Sequence, residues 1–354
     1  MPHQESLFCT SLVPLQLDIN NKCLWRNPIP SSPIFCRPIR LQYQKETPEL
    51  IKTEHKYITD QISDITTDII NVQVNDSLSV DIEMEYNLRL TMVDGKAINA
   101  LLGVSSTQSC NLCGAKPTEL NCLEKLQNRT IKREGIEFGF SLLHCWIRCF
   151  EYILHIGYKM EIQKWQARSK EEKDSLSTRK KYIQTQFSEK LSLTVDQPKV
   201  GHGSTNDGNT ARRAFQNSKV FSEITGVKEE IIVRFHNILQ VISCKQELNI
   251  EQFDFYCTRT AETLIEVYPW YRMPSSVHKL LLHAPLIVKD FLLPVGLYSE
   301  EAQEALNKHV RSARADHSRK ISRRNTMIDQ LHYLLIYSDP VISSIGSMES
   351  KTSI

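Results

Sequence analysis

The sequence has no long uninterrupted apolar run and almost no excess of charge of either sign. No stretch of its 354 residues approaches the roughly 18 consecutive apolar residues that a membrane span needs. Its N-terminus also lacks the basic segment and apolar core of a secretion signal. We therefore expect a soluble chain that is not secreted and has no membrane partner. Because the net charge is only +2, nucleic-acid binding has to be argued from local clusters of Lys and Arg.

The cysteines do not form the dense pattern of a small secreted scaffold. Ten of them are spread over the whole chain, so they are interpreted as reduced thiols or metal ligands in the cytosol or nucleus. The chain is 41% hydrophobic and 24% charged and shows no internal repeat, which is typical of one large globular domain or two ordinary ones.

Hydrophobic periodicity predicts an α+β fold that is mostly α. The Pro- and Ser-rich stretch up to Pro38 is predicted to be irregular, with at most one short extended run. Alternation from Val80 to Met92 predicts one or two half-buried strands. The tail after Asp339 is small and polar enough to be disordered. Helices are predicted at Pro48–Ile70, Phe138–Tyr158, Lys170–Leu191, Ala211–Phe221, Lys228–Ser243, Ile250–Tyr268, Ser275–Phe291 and Ser299–Leu335.

Two motifs offer metal ligands of the type that zinc prefers. The C-x-x-C spacing of Cys110 and Cys113 allows two thiolates to reach one tetrahedral zinc from a tight turn, although the same pair can also be two buried thiols. His278 and His283 stand in the apolar stretch "SSVHKLLLHAPL". Five helical residues turn by roughly 140°, so the two do not share a face of one helix, and Pro285 indicates that the helix ends there. The alternative is that one histidine lies near a helix start and the other caps its end.

A second cluster is basic and lies near the C-terminus. Glu304, Lys308 and Arg311 fall on one face of a predicted helix that begins near Ser299. Such a helix can bind DNA phosphates, and the carboxylate at its head can hold Mg²⁺; the alternative is a solvated helix whose charges suit the helix dipole. The cations of this run are Lys308, Arg311, Arg314, Arg319, Lys320, Arg323 and Arg324.

The stretch "NDGNTARR" is a weaker phosphate candidate. Thr210 is a predicted N-cap, and Arg212 and Arg213 follow in the first helical turn, where backbone amides and guanidinium groups can seat a phosphate. Asn and Gly, however, are also common in ordinary turns that bind no phosphate.

Taken in order, these motifs resemble the catalytic core of Transib DNA transposases and of the recombination-activating subunit of the V(D)J recombinase. The resemblance spans residues 6–339. It is carried by "TSLVPLQL", "PSSPIFCRPIRL", "CNLCGA", "SLLHCWIRCFE", "KWQAR", "DGNTARR", "VHKLLLHAP" and "SEEAQEALNK".

The resemblance implies an incomplete RNase H-like core at 1–103 and a long helical zinc-binding insertion at 104–295. A C-terminal catalytic and basic helix would follow at 296–338, with a disordered tail at 339–354. It also implies a nuclear homodimer that binds DNA through Arg212, Arg213, Lys308, Arg311, Arg314, Arg319 and Lys320. A structural Zn²⁺ would be held by Cys110, Cys113, His278 and His283. Glu304 would be the third catalytic carboxylate, and His144 matches a histidine near the active site of the family.

Departures from the family pattern affect the catalytic carboxylates. The first catalytic aspartate of the family belongs to a strand that precedes the start of this chain, and Lys45 followed by Glu46 stands where the family has an Asp-Glu pair. We therefore expect a transposase-derived DNA-binding protein that is catalytically incomplete, with Mg²⁺ or Mn²⁺ bound only if Glu304 and Glu46 are catalytic. The alternatives are part of an active transposase or recombinase that nicks DNA and transfers strands, and a zinc-stabilised helical interaction protein.

Overall fold

The fold of the protein is α+β and mostly helical, as the sequence predicts. A computed structural model describes residues 7–91, 93, 95–104, 106–127, 129–199, 204–298 and 301–343. Ser299, the expected helix start, and most of the tail expected to be disordered lie outside these residues. Residues 340–343 of that tail are helical. None of the described helices is both long and apolar enough to cross a membrane.

The helices follow the predicted periodicity closely in the middle of the chain. They are α1 Pro48–Ser63, α2 Gly95–Leu101, α3 Leu123–Gln127, α4 Leu142–Tyr158, α5 Lys170–Leu191, α6 Gly208–Gln216, α7 Ser218–Thr225, α8 Glu229–Ser243, α9 Ile250–Val267, α10 Ser275–Leu282, α11 Ala284–Asp290, α12 Glu301–Asp316 and α13 Arg323–Tyr337. Helix α5 has the predicted bounds because Ser169 and Glu172 form a capping box at its start.

Several predicted helices are shorter or divided. The stretches predicted as single helices at Ala211–Phe221, Ser275–Phe291 and Ser299–Leu335 each contain a break, at Asn217, at His283 and between α12 and α13. Pro285 accounts for the second break, because a proline interrupts a continuing helix but fits the first turn of a new one. The predicted helix at Pro48–Ile70 ends already at Ser63.

Among the residues that the structure describes, six strands form three separate antiparallel pairs. They are β1 Phe8–Leu12, β2 Gln16–Ile19, β3 Lys22–Arg26, β4 Arg37–Gln42, β5 Asp68–Asn75 and β6 Leu78–Met84, paired as β1–β4, β2–β3 and β5–β6. The prediction of an irregular segment up to Pro38 was therefore wrong. Asn20 and Asn21 both have positive φ, which makes the tight β2–β3 hairpin turn.

The alternation from Val80 to Met92 predicted only part of a hairpin. Strand β6 ends at Met84. Its partner β5 begins in the last three residues of the predicted helix and continues to Asn75, where no strand had been predicted. Every residue of β5 is exposed, and β6 is half-buried only at Ile82 and Met84.

The main core belongs to the helical body. Helix α4 is buried on nearly all sides, with Trp146, Phe150 and Ile153 almost completely enclosed. Phe150 packs against Phe187 of α5 and Phe221 of α7 at ring-centre distances of 6.0 and 5.5 Å. Burying one such side chain contributes about 2–3 kcal/mol, so this aromatic cluster is a principal source of stability.

A second, smaller core joins the two ends of the chain. It consists of Cys36, Ala302, Leu306 and Leu334, from the segment before β4 and from helices α12 and α13. The strands β1 and β4 are further tied to α1 by the buried carboxylate of Glu54. This carboxylate accepts hydrogen bonds from Thr10 Oγ1 at 2.9 Å and Gln42 Nε2 at 2.7 Å, and it lies 3.2 Å from Arg40.

Candidate metal centre

A tight turn between α2 and α3 carries the two cysteines. The backbone N–H of Cys110 donates to the carbonyl oxygen of Ala115, and that of Gly114 donates to the carbonyl of Cys110, both at 2.9 Å. Gly114 has φ +67°, a left-handed conformation that glycine adopts at little cost. The turn therefore closes around Cys110 and Cys113 and holds both thiols on its inner side, where they are buried.

The two histidines come from α10 and from the residue that ends it. His278 lies within the helix and is fully buried, while His283 is the hinge between α10 and α11. His283 has a non-helical backbone conformation, and the chain changes direction after it. The two histidine rings are 4.9 Å apart, centre to centre.

The structure brings the four predicted ligands together. One ligand atom from each of Cys110, Cys113, His278 and His283 lies within 4.8 Å of the other three. Cys113 Sγ and His278 Nε2 are 3.4 Å apart. Among the residues that the structure describes, this is the one group of three or more His, Cys, Asp or Glu side chains placed to hold a metal ion.

The donor set fits zinc. Two thiols and two imidazoles are the Cys₂His₂ ligands of closed, tetrahedral structural zinc sites. His278 Nδ1 and both ring nitrogens of His283 are buried and have no hydrogen-bond partner among the described residues. A buried imidazole without a partner is costly, and a metal bond would satisfy one nitrogen of each ring. The cluster can hold a metal such as zinc.

Electrostatics within the cluster favour the ligand forms. The hydrogen bond from the Cys113 thiol lowers the pKa of Cys110 to about 6, which makes one thiolate available at neutral pH, while the same contact raises the pKa of Cys113. Burial lowers the pKa of His278, so its ring is held in the neutral form that binds metals.

Two cations next to the cluster were not predicted from the sequence. Lys279 Nζ donates to the carbonyl oxygen of Gly139 at 2.8 Å, and burial lowers its pKa to about 8. Arg129 donates to the carbonyl of Cys113 at 3.3 Å and pairs with Glu119. The sequence did contain a signal for Lys279, because a lysine is unusual inside the apolar stretch between His278 and His283.

The arginines of "NDGNTARR" contact the protein itself. Asp207, not Thr210, is the N-cap of α6, since its side chain accepts from the N–H of Thr210 at 2.8 Å. The guanidinium of Arg212 pairs with Glu301 of α12 and lies 5.6 Å from the ring centre of Trp146. Arg213 is exposed and donates to the carbonyl of Leu191 at 3.0 Å.

The basic residues of α12, of the start of α13 and of the connection between these helices lie on the surface. The exposed cations are Lys308, Arg311, Arg314, Arg319, Lys320, Arg323 and Arg324. Arg319 pairs with Asp329 at 2.8 Å, and the guanidinium of Arg314 lies 5.4 Å from the ring centre of Tyr43. In the described part of the chain, Lys308, Arg311 and Lys320 take part in no ion pair.

The two predicted catalytic carboxylates, Glu304 and Glu46, have different neighbours. Glu304 is exposed on α12, and its neighbour Gln303 is the residue that contacts Ser11 of β1. Glu46 lies 3.2 Å from Lys96 Nζ, and both line a small cavity with Lys45. His144 is exposed, with its Nδ1 2.5 Å from Ser141 Oγ.

A scan against models of protein families and a search of curated proteins each gave no match to this chain.

Proposed function

We propose that this chain is a zinc-stabilised, transposase-derived DNA-binding protein of the nucleus, similar to Transib transposases and the V(D)J recombinase catalytic subunit. In this proposal, the N-terminal strands are the remnant of an RNase H-like core. The helical body from 104 to 295 is the zinc-binding insertion, and the chain acts as a homodimer on DNA.

The convergence of Cys110, Cys113, His278 and His283 is the observation that supports this proposal most. Their C-x-x-C and H-x4-H motifs are among those that carry the resemblance to the family. Cys113 and His278 are 165 positions apart in the sequence, yet the two motifs meet in space. A metal bound there would hold the turn before α3 against α10.

The DNA-binding part of the proposal rests on the basic surface of α12 and α13. Lys308, Arg311 and Lys320 are exposed and without ion pairs, so they can bind phosphates without first breaking a contact within the protein. Arg212 is a weaker candidate, because its guanidinium pairs with Glu301. We therefore assign most of the phosphate binding to the two C-terminal helices.

We also propose that the chain does not cleave DNA. A two-metal site needs several carboxylates within reach of two cations. Lys45 stands at the position of a family carboxylate, and Glu46 is paired with Lys96. Nicking of DNA in Mg²⁺ or Mn²⁺ that disappears in Glu304→Gln would favour an active transposase instead.

The decisive experiment measures DNA binding against salt concentration by fluorescence anisotropy. Each phosphate contact steepens the slope of log K against log salt by about 0.9. Replacing Lys308, Arg311 and Lys320 with Ala should therefore reduce the slope by up to about 3. The matched control replaces the exposed Lys173, Lys181 and Lys190 of α5, which changes the net charge equally and should leave the slope nearly unchanged.

The outcome separates the proposal from the interaction-protein alternative. Absence of salt-dependent binding by the wild-type chain would leave a metal-stabilised helical interaction protein as the better account. Equal losses in the α12–α13 variant and the α5 control would show that binding depends only on net charge.

A further inference from the structure

The hairpin of β5 and β6 exposes an apolar face. Ile70 is opposite Ile82 and Val72 is opposite Val80 in the register of the pair, while Asn71 faces Asp81 on the other side. Ile70, Val72 and Val80 are 42%, 40% and 43% exposed. An isolated two-stranded hairpin is marginally stable in water, so a surface of this kind gains from being covered or extended.

The two edges of this hairpin differ in charge. Within the described residues, β5 and β6 pair only with each other, so each offers one free edge. After Asp68, β5 runs from Ile69 to Asn75 without a charge, a proline or a glycine. Strand β6 instead carries Asp81 and Glu83. Charged residues and prolines are the usual protection of an edge strand against pairing, and β5 has neither after Asp68.

The sequence of β5 is complementary to itself in the antiparallel direction. If two copies pair with a two-fold axis at Val72, this residue faces Val72 of the second copy. In a regular register Asn71 then faces Gln73, and Ile70 faces Val74, which lies at the register shift of β5 between Gln73 and Asn75. Apolar side chains meet apolar ones, and amides meet amides that can hydrogen-bond across the strands. A shift by one residue would place Asn71 opposite Val72, which removes this match.

We propose that β5 is a self-association edge, through which two copies of this chain form a four-stranded antiparallel sheet in the order β6, β5, β5, β6. The acidic β6 edges remain on the outside, because pairing β6 with itself would bring the carboxylates of Asp81 and Glu83 close to those of the second copy. The eight residues of β5 span about 27 Å.

Edge pairing of this length buries less than the roughly 800 Å² per partner of a standard stable interface. The dimer should therefore dissociate on dilution. The inference does not depend on DNA binding or on the family resemblance, since it uses only the exposure, charge and register of the hairpin.

The test uses sedimentation velocity of the full chain, without DNA, over a range of concentrations. Val72→Lys and Val72→Asp should each be monomeric where the wild type is dimeric, because residue 72 faces its own copy and like charges repel. An equimolar mixture of the two variants should restore the dimer, because Lys then faces Asp at the axis.

Val80 supplies the matched control. It is the same residue type on the same face, directly opposite Val72 and equally exposed, but it lies on β6. In the proposed sheet, the two Val80 side chains are three strand spacings apart, about 14 Å. Val80→Lys and Val80→Asp should therefore remain dimeric, separately and mixed. Their circular dichroism and zinc content should equal those of the Val72 variants, which shows that folding is intact.

Three results would overturn the inference: a wild-type chain that stays monomeric at every concentration reached, a dimer that both Val72 variants leave intact, or a Lys and Asp mixture that remains monomeric.

Discussion

Cys113 and His278 are 165 residues apart in the sequence, yet the sulfur of the first lies 3.4 Å from Nε2 of the second. The segment between them contains α4 to α9, which supply most of the main core. A metal held by both residues therefore closes a very long loop and links its two ends. Closing long loops removes conformational freedom from the unfolded chain, so this link should contribute to global stability.

Replacing a ligand should remove the metal. We expect Cys113→Ser and His278→Ala to lose most of a zinc content of about one per chain, measured by elemental mass spectrometry, and to unfold at lower temperature. A chelator should lower the unfolding temperature of the wild type but not that of the variants.

Cys257 is the control for this experiment. Its thiol is fully buried in α9 and is not part of the cluster. Cys257→Ser should destabilise the core by about 1–3 kcal/mol and retain zinc. Equal zinc content in Cys113→Ser and the wild type would contradict the assignment of the ligands.

The turn that carries the cysteines should be sensitive to the backbone conformation of Gly114. An added Cβ would meet no atom within 4 Å at Gly114 or at Gly95, but Gly114 has φ +67°. Gly114→Ala should therefore lower the free energy of unfolding by about 1 kcal/mol through strain alone. Gly95→Ala, at the start of α2, should be neutral or stabilising. Urea denaturation midpoints give both values, and equal values would argue against strain.

The buried carboxylate of Glu54 should matter more than an exposed one on the same helix. Its removal leaves Thr10, Gln42 and Arg40 without their acceptor. Glu54→Ala should reduce the free energy of unfolding by about 2–3 kcal/mol, with a smaller loss in Glu54→Gln. Asp60→Ala, exposed near the end of α1, should change it by less than about 0.5 kcal/mol. Comparable losses at both positions would show that the carboxylate does not tie the strands to α1.

Acidification should destabilise the fold through His155. Burial lowers its pKa below the ordinary value of 6.5, against the opposing effect of Asp196 and Glu151. As the pH falls through 6.5, His155 therefore binds a proton in the unfolded chain but not in the folded chain. The free energy of unfolding decreases over this pH range. One such group changes the slope by up to about 1.4 kcal/mol per pH unit.

His155→Gln should flatten this dependence between pH 7.5 and pH 5.5, measured by denaturant unfolding at each pH. The exposed His332→Gln serves as control and should keep the wild-type slope. If both variants keep the wild-type slope, His155 is not responsible for it.

The sequence was most informative where one local signal decided the structure. The period of 3.6 residues predicted α5, and the C-x-x-C and H-x4-H spacings pointed to the four residues that converge. It was least informative at breaks. Pro285 indicated an interruption, but no local signal specified that the rings of His278 and His283 would meet, or the direction of the chain after the break.

The N-terminal strands were missed for a physical reason. Strands β2 and β3 form a local hairpin whose turn at Asn20 and Asn21 was not recognised in the sequence. Strands β1 and β4 are short and pair over distances of up to 34 positions, as in Phe8 with Gln42. Such pairing depends on tertiary contacts, including those to α12 and α13, that no window of neighbouring residues contains. The start of β5 was assigned to a helix because Ile69 and Ile70 continue the apolar pattern of α1, and the remaining residues of the strand were not predicted.

The small core of Cys36, Ala302, Leu306 and Leu334 has a consequence for biosynthesis. The residues that bury Cys36 are more than 260 positions later in the chain. The segment around Cys36, with strands β1 and β4, therefore emerges from the ribosome long before α12 and α13 are synthesised. The helical body between these two regions can pack while synthesis continues, since most of its helices are neighbours in sequence. The first strands should then be the last part of the protein to become resistant to proteolysis, and nascent chains that stop before α12 should expose them to chaperones.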